Sequence, residues 1–199
     1  MYIIGITGGT GAGKTTAVKV LQEQGALILD CDEIYHRLLI SNKKMAAMLK
    51  DRFQNITTNG TINRRKLADL VFNDPAALDE LNKITHTFVN DEVDSQIATF
   101  KTQGGTLVAI DAIALIESGQ DKKCDTIVGV IAPESSRISR IKKRDEITNE
   151  RVLKRVNAQQ PESYYMESCD HILENTYSTP AEFKKKCVEF FKELIEKQT

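Results

Sequence analysis

Tyr2-Ile3-Ile4-Gly5-Ile6-Thr7-Gly8-Gly9-Thr10-Gly11-Ala12-Gly13-Lys14-Thr15-Thr16 joins an apolar run, a glycine-rich loop and a Lys-Thr pair in immediate succession. Gly8 to Thr15 matches G-x-x-x-x-G-K-[ST] at every fixed position. The run Tyr2–Ile6 predicts a buried strand, and Gly13–Gln24 reads as a helix. That context turns a glycine-rich loop into a phosphate cradle. Glycines let the backbone curl so that successive N–H groups point inward, and a helix N-terminus adds partial positive charge. Lys14 can then reach β- and γ-phosphates, and the Thr15 hydroxyl offers one position on a Mg²⁺ ion. The stretch predicts binding of a nucleoside triphosphate.

Outward from this loop, the chain has the dimensions of one α/β domain with insertions. Its 199 residues can bury a sizeable core, and 41% hydrophobic with 28% charged residues is ordinary for a globular protein. A net charge of −1 gives no sign of a nucleic-acid or membrane-surface partner. The four cysteines, Cys31, Cys124, Cys169 and Cys187, show no C-x-x-C spacing, so neither a disulfide framework nor a zinc site is expected. No run approaches a membrane span, and the first strand starts at once without a basic n-region, so no signal peptide is expected. A soluble, cytoplasmic protein is the expectation. Composition leaves its oligomeric state open.

Tyr2–Ile6, Ala26–Asp30, Thr106–Asp111, Thr126–Ala132 and His171–Leu173 read as strands. Continuous runs such as Leu107-Val108-Ala109-Ile110 fit a parallel sheet covered on both faces. In Pro180–Lys197, Phe183, Cys187, Phe190, Phe191, Leu194 and Ile195 recur at helical spacing and predict core packing. The segment from Cys31 to Gly105 is too long for a simple crossover. Pro75 starts a helix there after Asn73-Asp74, and Leu78, Leu81, Ile84, Phe88 and Val93 suggest that it is long and amphipathic. A second excursion, Glu134–Met166, separates the last two strands. The predicted architecture is α/β: a three-layer P-loop NTPase fold with a five-stranded parallel sheet, a helical acceptor-binding insertion and a helical lid. Residues 1–31, 105–133 and 168–199 form the expected nucleotide-binding core, 32–104 the acceptor domain and 134–167 the lid.

Three features point to phosphoryl transfer onto a small molecule. Asp30-Cys31-Asp32 follows the second strand directly, and ligands of open parallel sheets sit beyond strand carboxyl ends. A carboxylate there can orient a hydroxyl nucleophile and accept its proton, or organise a metal. Asp30 also suits the N-cap of a helix over Glu33–Leu39. Arg137, Arg140, Arg144, Arg151 and Arg155 fall in one stripe, broken near Asp145–Thr148 and so spread over two helices. Arginines on a mobile excursion can stabilise charge on a transferred phosphoryl group, with Arg140 and Arg144 the foremost candidates. Asn59-Gly60 followed by Thr61-Ile62-Asn63-Arg64-Arg65-Lys66-Leu67 combines a turn with a basic helix start suited to an anionic acceptor. Asp111, closing the third strand, is either a second metal-side carboxylate or a plain strand end.

In that order the motifs resemble the dephospho-CoA kinase family. Ile4-Gly5-Ile6-Thr7-Gly8-Gly9 through Lys14-Thr15-Thr16 is similar to its P-loop, and Asp30-Cys31-Asp32 stands where it has Asp-Ala-Asp. Gly60 to Leu67 with Val71-Phe72 resembles its acceptor-domain signature, and Leu81-Asn82 with His86 falls at its Leu-Asn and His-Pro positions. Arg140 with Arg144-Asp145 resembles its lid, Gln159 its following glutamine, and Ile172 with Asn175 its adenine-side segment. The resemblance implies ATP-dependent phosphorylation of the ribose 3′-hydroxyl of dephospho-CoA, the last step of coenzyme A synthesis. It implies Asp32 as base, Gly11, Ala12, Gly13, Lys14, Thr15 and Thr16 on the ATP phosphates, and Asn175 near adenine. Lys14, Arg140 and Arg144 would serve catalysis, Thr15 the Mg²⁺, and Asp32, Arg64, Arg65 and His86 the acceptor. The chain departs from the pattern at Thr87, where the family has proline. It departs again at Ala112-Ile113-Ala114-Leu115-Ile116-Glu117, which keeps Leu115 and Glu117 of a Pro-Leu-Leu-Phe-Glu pattern.

Other readings compete. Another nucleoside-monophosphate or small-molecule kinase would use the same loop and arginines. A nucleotide-dependent regulatory switch is the rival from a different class. A GTPase would need N/T-K-x-D, and the nearest string, Asn82-Lys83-Ile84-Thr85, lacks the aspartate.

Overall fold

The computed structural model describes residues 1–71 and 74–197; Phe72 and Asn73, both part of the sequence reading, lie outside the described residues. The elements run β1 (Tyr2–Thr7), α1 (Lys14–Glu23), β2 (Leu27–Asp30), α2 (Cys31–Ser41), α3 (Lys43–Arg52), β3 (Thr57–Thr58), β4 (Thr61–Ile62), α4 (Arg64–Val71) and α5 (Pro75–Thr102). They continue with β5 (Leu107–Asp111), a 3₁₀ turn over Gln120–Lys123, β6 (Thr126–Ile131), α6 (Glu134–Asp145), α7 (Asn149–Asn157), α8 (Glu162–Ser168), β7 (His171–Glu174) and α9 (Pro180–Glu196). Two compact units emerge: Met1–Leu29 with Gln103–Thr199, and Asp30–Thr102.

The first unit is built on a five-stranded parallel sheet in the order β2-β5-β1-β6-β7. β1 is central. It pairs in parallel with β5, Ile6 opposite Asp111, and with β6, Thr7 opposite Gly129. Strand alternation sends Ile4 and Ile6 to one face, where they join Val128, Val130, Leu173, Leu21 of α1 and Phe183, Cys187 and Phe191 of α9 in one core. On the other face, a Cβ added at Gly5 would meet Leu115 and Cys124, and one at Gly129 would meet Cys169. Burial on both faces explains why these strands read as continuous apolar runs. α9 is fixed at its start by a capping box, Thr179 accepting from the Glu182 amide while Glu182 accepts from the Thr179 amide. Its predicted stripe is the packing face: Phe183, Cys187 and Phe191 are fully buried, with Phe190 and Ile195 at the margin.

Sharp local signals shape the second unit. Asp30 is the N-cap of α2, its Oδ1 accepting from the Glu33 amide at 2.9 Å. Asn59 and Gly60, with φ of 50° and 79°, make the tight turn of the β3–β4 hairpin. Asn63 Oδ1 accepts from the amides of Arg65 and Lys66 and starts α4. Asp74 Oδ1 accepts from Ala76 and Ala77 at the start of α5. α5 runs 28 residues and its buried stripe is Ala77, Leu81, Thr85, Val89 and Val93; Leu81 and Val93 are buried as expected, whereas Ala77, Thr85 and Val89 take the places expected of Leu78, Ile84 and Phe88. Leu78 is exposed, and Ile84 and Phe88 are only partly covered. Thr85 can be buried because its hydroxyl donates to the Leu81 carbonyl at 2.8 Å. Thr87 likewise donates to Lys83 O within an unbroken helix, where proline would clash with that carbonyl and remove an amide donor. This departure from the family pattern therefore leaves α5 continuous.

Truncating Phe191→Ala should cost about 3–5 kcal/mol, read as a lower urea midpoint, whereas Val188→Ala on the exposed face of α9 should change stability by less than about 0.5 kcal/mol. Burial pushes the Cys124 and Cys187 thiols up to about 12, far above neutrality. Both should therefore resist a thiol reagent at about pH 8 until the protein is unfolded, since the thiolate is the reacting form.

Candidate active site

The loop from Gly8 to Thr15 leaves β1 at its carboxyl end and feeds straight into α1. Each carbonyl from Gly8 to Gly13 is engaged by the protein. Gly8 O accepts from Lys14 Nζ at 2.8 Å, and Gly9 O accepts from the Ala12 amide at 3.1 Å. Thr10 O accepts from Arg137 Nε at 3.1 Å, and Gly11 O from Arg140 Nη1 at 3.2 Å. Ala12 O accepts from Asn175 Nδ2 at 2.7 Å and Gly13 O from the Thr16 amide at 2.9 Å. With the carbonyls drawn onto protein donors, the amides of Gly11 and Gly13 and the first turn of α1 face the other way. Among the described residues no protein acceptor takes the Gly11 or Gly13 amide. Together with the N-terminal end of the α1 dipole they form an anion site.

Gly13 shows why the loop needs glycine. It caps α1 with φ of 120°, and a Cβ there would lie 2.5 Å from Asn175 Nδ2 and 2.8 Å from the Phe183 ring. Asn175 follows β7 and is buried, and its Oδ1 accepts from Arg140 Nη2 at 3.2 Å. Arg140 also donates toward the carbonyls of Asn175 and Tyr177, at 3.5 and 3.3 Å. Its burial among neutral acceptors lowers the guanidinium pKa from its ordinary value. Thr15 stands exposed in the first turn of α1, and Asp111 ends β5 opposite Ile6, beside the origin of the loop.

α6 and α7 form a hairpin with its own small core of Ile141, Val152 and Val156. Glu146, in the left-handed region with φ of 52°, makes the break expected near Asp145–Thr148. The predicted arginine stripe divides across it. Arg137 and Arg140 reach the loop, whereas Arg144 pairs with Asp145 through Nε at 2.7 Å and Nη2 at 3.1 Å. Arg155 also reaches Asp145, at 2.5 Å. The Arg144 hydrogen bond, aided by both arginine charges, holds the Asp145 carboxyl below the usual carboxylate range.

Beside the loop, Ile113, Glu117, Gln159, Gln160 and Tyr165 line a cleft of about 240 Å³. Gln160 Nε2 donates to Glu117 at 3.1 Å. Burial and the Glu117 charge push the Tyr165 hydroxyl up to about 12. Arg137 is a neighbour of the loop whose sequence signal is only membership of a spaced arginine set, and Tyr165, which lines the cleft, carries no such signal.

Within the second unit, Asp32 lies exposed in the first turn of α2 and His86 lies half-buried on α5. Arg64 and Arg65 open α4. Arg64 Nη2 is 2.6 Å from His36 Nε2. A guanidinium can only donate, so His36 accepts as a neutral imidazole. Burial, then the Arg64 charge, lower the His36 pKa below its ordinary value. Among the described residues no group of three or more His, Cys, Asp or Glu side chains could hold a metal ion. A Mg²⁺ would be held largely by the phosphates and water, with Thr15 as a protein ligand.

Comparison with known proteins agrees with this geometry. The profile of the family described as Dephospho-CoA kinase matches residues 2–181. A dephospho-CoA kinase of Dehalococcoides mccartyi is 36% identical over 199 residues, covering 98% of this chain and 99% of that protein. A crystal structure from Thermus thermophilus superposes with a TM-score of 0.82 at 30% identity, covering 100% of this chain and 98% of that one. The fold is also that of a dephospho-CoA kinase from Campylobacter jejuni, at a TM-score of 0.71, 22% identity and coverage of 99% and 98%. A kinase architecture with a complete phosphate loop, matched along nearly its whole length, establishes that the chain belongs to the dephospho-CoA kinase family.

Proposed function

We propose that this kinase transfers the γ-phosphoryl group of ATP to the ribose 3′-hydroxyl of dephospho-CoA, releasing coenzyme A and ADP. The observation that carries the reading is the P-loop itself, with its carbonyls held outward and its amides left for a triphosphate. Gly11, Ala12, Gly13, Lys14, Thr15 and Thr16 hold the phosphates, and Asn175 supports the loop on the adenine side. Lys14 neutralises charge on the β- and γ-phosphates as the bond between them breaks. The Thr15 hydroxyl would hold a Mg²⁺ ion, which would supply electrostatic stabilisation of the charge that develops during transfer.

Asp32, two residues beyond the β2 carboxyl end, takes the proton of the 3′-hydroxyl as its oxygen bonds to phosphorus and ADP leaves. Arg64 and Arg65, with His86, bind the anionic acceptor, so residues 32–104 act as the acceptor domain. Residues 134–167 act as the lid, and on closure Arg140 and Arg144 exchange their present protein partners for the phosphoryl group in flight, whose charge they stabilise. Closure of that lid over bound ATP keeps water from the reacting phosphorus. We place the reaction in the cytoplasm. No helix among the described residues is long and apolar enough to cross a membrane, and no disulfide joins the four cysteines.

ADP release from ATP and Mg²⁺ should rise strongly on adding dephospho-CoA, with the new phosphate on the ribose 3′-oxygen by NMR. ATP binding without that stimulation would refute the acceptor. Asp32→Asn should leave ATP affinity nearly intact and cut kcat by about 10²–10⁴-fold; an undiminished rate excludes Asp32 as base. Lys14→Ala should weaken both ATP affinity and transfer. As pH falls through and below the ordinary imidazole range, protonated His36 would face the Arg64 cation. The dephospho-CoA KM should therefore rise once the pH falls below the ordinary imidazole range while the ATP KM does not follow. A flat acceptor KM below that range takes Arg64 off the acceptor site.

A further inference from the structure

Thr10, at the tip of the loop, is gripped by two side chains outside the phosphate-binding motif. Gln159 Oε1 accepts from the Thr10 amide at 2.9 Å, while Gln159 Nε2 contacts the Thr10 hydroxyl. Arg137 Nε donates to the Thr10 carbonyl at 3.1 Å, and its Nη2 donates to Gln159 Oε1 at 2.6 Å. The amide, carbonyl and hydroxyl of Thr10 are thus all taken up by α6 and by the turn after α7. Space has been made for this. A Cβ on Gly9 would stand 2.5 Å from Arg137 Nη2, and one on Gly11 would stand 2.8 Å from the Arg137 carbonyl.

The side-chain types fit the geometry. One glutamine head supplies an oxygen for two donors and an NH₂ group for the hydroxyl. One guanidinium fork spans the Thr10 carbonyl and Gln159 at once, which a lysine ammonium cannot do in a fixed plane. The Thr10 amide, committed to Gln159, does not join the phosphate-facing set.

We propose that Arg137 and Gln159 form a positioning clamp that acts through Thr10, holding the P-loop in its phosphate-binding shape before the nucleotide arrives. A glycine-rich loop has many conformations to lose, and whatever order is imposed beforehand is not drawn from the binding energy of ATP. Both clamp residues are positioning residues, not catalytic ones. The proposal rests on the P-loop being the ATP site and is independent of which alcohol accepts the phosphoryl group.

The test is calorimetric titration of ATP·Mg²⁺ into the full chain without acceptor, paired with steady-state kinetics and thermal melts. Gln159→Ala should bind ATP about tenfold more weakly, about 1.4 kcal/mol, with the acceptor KM unchanged. Arg137→Ala should match it, Arg137→Lys should not rescue, and the double alanine variant should be no weaker than the worse single one. Parental ATP affinity in Gln159→Ala would overturn the clamp, as would additive losses in the double variant. If Gln159→Ala fails to fold, Thr10→Val removes only the hydroxyl contact; about threefold weaker ATP binding supports the clamp and parental binding overturns it. A parent chain that binds no ATP would instead refute the P-loop assignment beneath the proposal.

Discussion

The orientation of the peptide units between Gly8 and Gly13 is the constraint on which the rest of this molecule depends. A peptide plane has a donor on one edge and an acceptor on the other, so fixing where its carbonyl points fixes where its amide points. Arg137, Arg140, Asn175 and Lys14 draw the loop carbonyls onto themselves, and the amides that remain form a pocket of positive potential. The protein thus prepares an anion site largely by satisfying its acceptors elsewhere. Cations on the carbonyl side also keep water from competing for those acceptors.

Such an arrangement needs a rigid frame, and the central strand supplies it. β1 is paired on both edges and buried on both faces, so the loop leaves from the least mobile part of the sheet. α9 supports the same corner from below, where the Phe183 ring closes on Gly13 and the buried Asn175 connects β7 to Ala12. The hairpin of α6 and α7 has only a few buried residues, yet its two ends are tied to the loop tip through Arg137, Arg140 and Gln159. Between those ties the hairpin turns through the left-handed Glu146, beside the Asp145 ion pairs.

Much of this was legible in the sequence, because its strongest signals are local. The strand–loop–helix around Lys14, the apolar runs of the sheet, the Asn59-Gly60 turn and the Asp30 cap each depend on residues a few positions apart. Less legible was the buried face of α5, since Ala77 and Thr85 carry little hydrophobic signal and Thr85 becomes apolar in effect only after its hydroxyl is satisfied. The role of Arg137 was hidden for another reason. Its spacing is the same as that of a solvated arginine, and its partner Thr10 is 127 positions away. Arg144 has the same spacing and turns instead to Asp145, so periodicity groups these arginines and tertiary contact separates them.

The parts of the phosphate site arrive at very different times during synthesis. Lys14 and the glycines emerge first, but the donors that set their peptide planes lie at Arg137, Arg140, Gln159 and Asn175, and the strands flanking β1 begin only at Leu107 and Thr126. A nascent chain thus carries the complete glycine-rich motif for most of its translation without a frame to shape it. Contacts of such long sequence separation form late and slowly. The full set of donors that shapes the loop is present only once Asn175 has been added, so the last elements of the chain to be made complete the site begun by the first.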